Sequence, residues 1–239
     1  MTVKHGSEGA APETMVDKAM RSILDHIHRQ GLRADDLLPS EAYFIEALGV
    51  SRTVVREAFK SLAAMRVLET SAGRRTRVAA FDDTAIALTL SHALRTEQLN
   101  PQQLLDARRA IELRTVELAA VRRSEAEARE LFALVERMRQ ARDKVEEMTE
   151  SDIAFHIAMA QATRNPLFPV LVSALTTSMR DTNAIVWRYR TSETAREEVM
   201  ALHEAIAEAI AARDPGAARS ALEKHFDVAS RGLVLAGFN

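Results

Sequence analysis

Apolar residues recur every three to four positions along most of this chain, the period of helices with one packed face. Met15, Ala19, Ile23 and Ile27 stand four apart and predict a helix within residues 13–30. The stretch GLRADDLLPSE breaks that pattern with glycine and proline and reads as a loop. Ser40 is placed to cap a helix ending near Leu48. Gly49 breaks it, and Ser51 caps the next, which runs to about Met65. Beyond it the period changes. Two short β-capable runs, 67–70 and 76–79, flank a turn around Gly73.

From residue 83 onward the helical period returns and persists. Ser124 and Glu127 have the spacing of a capping box. Asn100-Pro101, Asn165-Pro166 and Asp214-Pro215 each pair a capping residue with a proline at the first helical position. These marks predict helices over about 83–96, 101–122, 125–142, 146–163, 166–189, 193–213 and 215–235. The expected fold is mainly α. Residues 1–12 form a disordered tail and 13–80 a unit of three helices with a small β-hairpin. Residues 83–236 form an all-α bundle of six or seven helices.

Composition narrows the class. Glycine (8) and proline (6) are few among 239 residues, which favours helices. With no cysteine, disulfides, thiolate metal sites and thiol nucleophiles are excluded. No run of about 18 apolar residues and no secretory leader are seen, so no membrane association and a cytoplasmic location are expected. The net charge of −2 hides an asymmetry. Residues 51–80 carry seven basic side chains against Glu57 and Glu69, whereas 81–239 carry 20 basic and 24 acidic ones. A basic island beside an acidic bulk points to a polyanion at one end.

The island has a geometry. On a helix from Ser51, residues Val55, Ala58, Phe59 and Leu62 form one stripe, and Arg52, Thr53, Arg56 and Lys60 the opposite face. The apolar stripe packs and the basic face is presented outward. A helix fits the DNA major groove, where arginine grips guanine and Lys, Arg or Thr hold phosphates. The Leu48-Gly49-Val50 turn suits a helix-turn-helix. Gly73, Arg74, Arg75 and Arg77 make the hairpin tip an arginine-bearing wing.

The stretch LPSEAYFIEALGVSRTVVREAFKSLAAMRVLE resembles the winged helix-turn-helix of GntR-type transcription regulators, with their LPSE and GVSRxxVREAxxxL motifs. The resemblance implies that Arg52 and Arg56 read or clamp an operator, with Ser40, Thr53, Lys60 and the wing residues also at DNA. Two departures bear on operator sequence. Ala42 stands where many members carry arginine, and Arg75 replaces the second glycine of the usual GxGT wing.

Three histidines interrupt apolar stripes in the acidic half: His156, His203 and His225. Each should point inward, and unpartnered buried imidazoles would each cost roughly 1–3 kcal/mol. Convergence on a divalent metal removes that cost. Asp152, one helical turn before His156, supplies a negative oxygen. Arg108 lies on the inward stripe of Leu104, Leu105 and Ile111; it either pairs with Glu112 four residues on or holds a ligand carboxylate. The spacing Asp152, His156, His203, His225, with the segments DARRAIE, DIAFHIAMAQATRNPLF and LHEAIAEAIAARDPGAARSALEKHF, resembles the FCD ligand-binding domain of the FadR subfamily. That likeness implies an all-α domain, one Asp and three His on zinc, nickel or manganese, and a small organic-acid effector, a sugar acid or other carboxylate. It favours Arg108 as an effector contact. Asn165 and Trp187 are further effector candidates, with Asn165 also read as a helix cap. Arg188 and Arg190 sit beside Trp187 at the pocket or a dimer seam.

The function expected is a ligand-responsive regulator, a repressor acting as a homodimer on a near-palindromic operator. Two alternatives stand beside it. One is a metal-dependent hydrolase with a nucleic-acid-binding module, against which no HExxH-type helix is present. The other is a metal-free regulator with an acyl or lipid pocket.

Overall fold

The computed structural model describes residues 13–70 and 74–238. The chain divides into two compact units, Met1–Ala85 and Ile86–Asn239. The proposed tail at 1–12 and Gly73 lie outside the described residues.

The first unit holds α1 (Met15–Gln30), α2 (Glu41–Leu48), α3 (Arg52–Ala64), β1 (Leu68–Glu69) and β2 (Arg77–Val78). Thr14 caps α1 in a reciprocal box with Asp17, while Ser40 and Ser51 cap α2 and α3. Gly31 and Gly49 end α1 and α2 in the left-handed conformation that glycine adopts without strain. The two strands pair antiparallel with Leu68 opposite Val78 and Glu69 opposite Arg77. Among the described residues, one further bridge joins Leu37 to Arg77. Ile23, Ile27, Phe44, Val55, Phe59 and Leu62 form the core. Burying each aliphatic or aromatic side chain stabilises by roughly 1.5–3 kcal/mol, which fixes which face of α3 remains outside. Met15, the first residue of the predicted α1 stripe, is exposed instead.

The helices that follow are α4 (Thr84–Arg95), α5 (Pro101–Arg122), α6 (Glu125–Gln140), α7 (Val145–Gln161), α8 (Leu167–Ser178), α9 (Arg180–Tyr189), α10 (Glu193–Ala211) and α11 (Pro215–Leu235). That makes eight where the periodicity predicts six or seven. The single helix expected over 166–189 is interrupted at Met179. The hydroxyls of Thr176 and Ser178 donate back to the carbonyls of Val172 and Ala174, and this competes with the helical ladder. Around the core, α5 packs on α11 and α7, α6 on α7 and α10, and α10 on α11.

Two arginines tie the ends of α5 and α10 together. Arg123, after α5, donates to the carbonyls of Ile210 and Ala211 at the end of α10. Arg213, just past α10 at φ 57°, donates to the carbonyls of Val121 and Arg123. The two helix ends thereby satisfy each other's free carbonyl groups. No helix among the described residues is long and apolar enough to cross a membrane.

Candidate metal centre, ligand cavity and nucleic-acid face

Asp152 and His156 lie one turn apart on α7, His203 lies on α10 and His225 on α11. Residues up to 73 positions apart in the chain are thus brought together. One ligand atom from each of the four lies within 4.8 Å of the others. The three imidazoles are buried and Asp152 is partly so. Phe155 stands edge-on to His203 at 5.0 Å and Phe226 to His225 at 5.6 Å, so apolar walls hold the rings.

Each outer contact assigns a proton. His203 Nδ1–H donates to the Val199 carbonyl at 2.8 Å, which turns Nε2 inward. His156 Nδ1–H donates to Glu112 Oε2 at 2.5 Å, and its Nε2 is likewise left inside. Both Nε2 atoms are buried with no hydrogen-bond partner. His203 Nε2 lies 3.0 Å from Asp152 Oδ1 and His156 Nε2 3.9 Å. Two imidazole nitrogens thus converge on one carboxylate oxygen.

Such an arrangement requires positive charge at its centre. Burial works to raise the pKa of Asp152, but contact with His203 and the charges of His156, His203 and Arg108 outweigh it and hold the carboxyl well below its ordinary range. Burial, followed by repulsion from His203 and His156, pushes the His225 imidazole well below its usual value. Burial and the Arg108 charge lower His156 too. A divalent cation fits the orphaned atoms: three imidazole nitrogens and one carboxylate oxygen, two of the rings oriented from behind by Glu112 and a carbonyl. When bound, such an ion supplies Lewis acidity toward an oxygen ligand.

A cavity of about 60 Å³ adjoins the cluster, and Asp152 and His225 form part of its wall with Arg108, Asn183, Trp187 and Arg190. Arg108 makes the ion pair with Glu112 that its spacing allows. Its Nε pairs with Glu112 Oε1 at 2.5 Å, while its Nη2 is buried and unpartnered. Asn183 Nδ2 is a second buried donor without a partner. Trp187 spends its indole N–H on the Arg142 carbonyl at 3.1 Å, so its ring lines the cavity without offering a free donor. Arg188 is exposed and pairs with Glu146. Asn165 is not part of the lining; its Oδ1 accepts from the Leu167 N–H at the start of α8, as a cap does. Sequence reading missed Asn183, and it took Glu112 only as the partner of Arg108.

On the first unit, Arg52, Thr53, Arg56 and Lys60 are exposed along α3, opposite the buried Val55, Ala58, Phe59 and Leu62. They border a surface groove shared with Glu41, Ala42 and Glu46 of α2. Lys60 contacts Glu57 at 2.9 Å, an exposed pair worth little. Ser40 caps α2 through the Tyr43 N–H. The wing arginines differ among themselves. Arg74 is exposed, whereas Arg75 donates to the Leu38 carbonyl and Arg77 to that of Asp35 at 2.6 Å. Two of the three therefore tie the hairpin to the loop before α2.

Comparison with known proteins bears on both units. Residues 16–78 match the family of bacterial regulatory proteins, gntR family, and residues 103–228 match the FCD domain. The HTH-type transcriptional regulator LutR of Bacillus subtilis is 32% identical over 81% of this chain and 90% of its own. The Glc operon transcriptional activator of Escherichia coli is 27% identical over 92% of this chain and 88% of its own. A solved structure described as Streptococcus agalactiae GntR superposes with a TM-score of 0.69 at 25% identity, covering 90% of this chain and 99% of that one. These families and relatives are transcription regulators, not enzymes. With a DNA-binding helix-turn-helix matched in its first unit and an FCD domain in its second, the chain belongs to the GntR family of bacterial transcription regulators.

Proposed function

We propose that this regulator binds a divalent metal through Asp152, His156, His203 and His225 and a small organic carboxylate in the adjoining cavity, and that the carboxylate changes its affinity for an operator. The observation that carries this reading is the set of buried polar atoms without partners. Arg108 Nη2 and Asn183 Nδ2 belong to the cavity wall, and His156 Nε2 and His203 Nε2 to the cluster whose Asp152 and His225 form part of that wall. Leaving such groups unsatisfied costs roughly 1–3 kcal/mol each, and a metal with a carboxylate satisfies them together.

The DNA-contacting set of this reading is Arg52, Thr53 and Arg56, with Arg74 at the wing. The protein acts in the cytoplasm as a homodimer on a near-palindromic site. Effector control requires that the carboxylate bind the DNA-competent and incompetent states unequally. The linkage can run with either sign: the family resemblance implies repression, and one relative is named an activator. The small cavity argues against a long acyl chain. Glu204, the acid beside His203, pairs with Arg139 at 2.6 Å, which argues against a hydrolytic base there.

The test is metal analysis of the purified chain, followed by operator binding measured by fluorescence anisotropy with and without a panel of short organic acids. About one divalent ion per chain and an acid-dependent shift in operator Kd are expected. A metal-free protein whose operator affinity no acid alters would overturn the reading.

A further inference from the structure

The second arginine of the cavity has no role in the reading above. Arg190 caps the end of α9, partly buried, with its guanidinium 5.9 Å from the Trp187 ring. Among the described residues no carboxylate or carbonyl accepts a hydrogen bond from that guanidinium. The nearby Arg196 differs: it donates to the Arg190 carbonyl and pairs with Asp143 at 2.8 Å. Asp152 and then Glu198 act on Arg190 electrostatically without accepting a hydrogen bond from it; Glu198 is exposed and engaged with Arg231.

A glycine makes room for this guanidinium. Gly232 lies buried within α11, where glycine costs roughly 1 kcal/mol relative to alanine. A Cβ at that position would lie 2.8 Å from Arg190 Nη2 and from Val186. The helix thus carries a weak residue where the arginine crosses it.

Charge balance then identifies what the arginine awaits. A divalent ion, Arg108 and Arg190 bring four positive charges to the cavity and its wall. Asp152 and Glu112 bring two negative ones. The excess of two faces a cavity walled largely by buried side chains, where uncompensated charge is costly. A monoanion leaves half of it in place, and a dianion removes it.

We propose that the effector of this regulator is a short dianionic acid, one carboxylate held toward the metal cluster by Arg108 and Asn183 and a second anionic group held by Arg190. This rests on the metal-and-carboxylate reading and names its ligand class. Arg190 is the specificity-determining residue that separates dianions from monoanions.

The test compares malate with its 4-monoamide, which has the same shape and one charge fewer, by calorimetric titration of the metal-loaded full-length chain. One charge-assisted contact predicts that malate binds roughly tenfold to a hundredfold tighter than the amide. In Arg190→Gln that ratio falls toward one, chiefly through loss of malate affinity, with metal content unchanged. Gly232→Ala keeps the charge but pushes the guanidinium aside, and should also shrink the ratio. An amide that binds wild type as well as malate does, or an Arg190→Gln variant that weakens both ligands alike, overturns the dianion assignment while leaving the carboxylate reading standing. Failure of both acids to bind a metal-loaded chain overturns the two together.

Discussion

Glu112 is the side chain whose replacement tests the centre most sharply. It is fully buried, and its two oxygens serve two masters: Oε1 accepts from Arg108 Nε and Oε2 from His156 Nδ1, both at 2.5 Å. Glu112→Gln keeps the shape but replaces one acceptor by an NH₂, so one donor must face another donor. Two consequences separate. Arg108 loses its buried counter-charge, which costs about 3–5 kcal/mol. At about 2–4 °C per kcal/mol for a unit of this size, that lowers the melting temperature by about 6–20 °C. His156 loses the carboxylate that orients it and raises its basicity, which weakens metal binding by about 10–100-fold, or roughly 1.4–2.7 kcal/mol.

The double variant Arg108→Met/Glu112→Gln distinguishes the two effects. Removing both charges should restore much of the stability, because no buried charge is left alone. The loss of metal affinity should persist, because it acts through His156. The assay is competition against a chromophoric chelator, alongside thermal unfolding with and without metal. A folded Glu112→Gln protein that holds metal as tightly as wild type would refute the coupling. Acid provides a further check. Burial works against ionisation of Glu112, but Arg108 and His156 hold its pKa below the ordinary glutamate value. Its folded-state pKa therefore lies below its unfolded one. The stabilisation it gives is present above the unfolded pKa and is lost as pH falls through the folded value. Glu112→Gln should lack that acid-dependent part.

Four further outcomes are expected. Arg52→Ala should weaken binding to the specific operator by roughly 1–3 kcal/mol, and unchanged anisotropy titrations would remove Arg52 from the DNA face. His203→Ala should lower metal stoichiometry and abolish the response to acids while leaving operator binding intact; full metal content in the variant would exclude His203 as a ligand. Arg74→Ala should reduce DNA affinity and its salt dependence without loosening the hairpin. Arg77→Ala should speed amide exchange around Asp35 and Val78, and equal exchange in the two variants would contradict the different roles assigned to them.

Much of the architecture was written in local chemistry. The stripes Ile23–Ile27 and Val55–Leu62 face the first core as their periods require, and Ser51, Asn100, Ser124 and Asp214 cap the helices they precede. Helix ends were less legible where arginine took the left-handed conformation, as at Arg66, Arg164 and Arg213, because nothing local marks a non-glycine residue for that role. The interruption at Met179 escaped for a similar reason, since hydroxyl groups of Thr176 and Ser178 are compatible with a continuous helix.

The centre divides along the same line. A histidine set in an apolar stripe declares by itself that it points inward, so three such residues and the aspartate one turn from His156 were identifiable from period alone. Period is a property of one helix and carries no information about what stands across from it. That His156 leans on Glu112 from a helix 44 positions earlier, that Asn183 leaves a donor bare, and that Gly232 admits the Arg190 guanidinium were settled only when separate helices packed. Hydrophobic burial selects the inward face of each helix from sequence, whereas the pairing of polar atoms depends on distances that exist only in the assembled bundle.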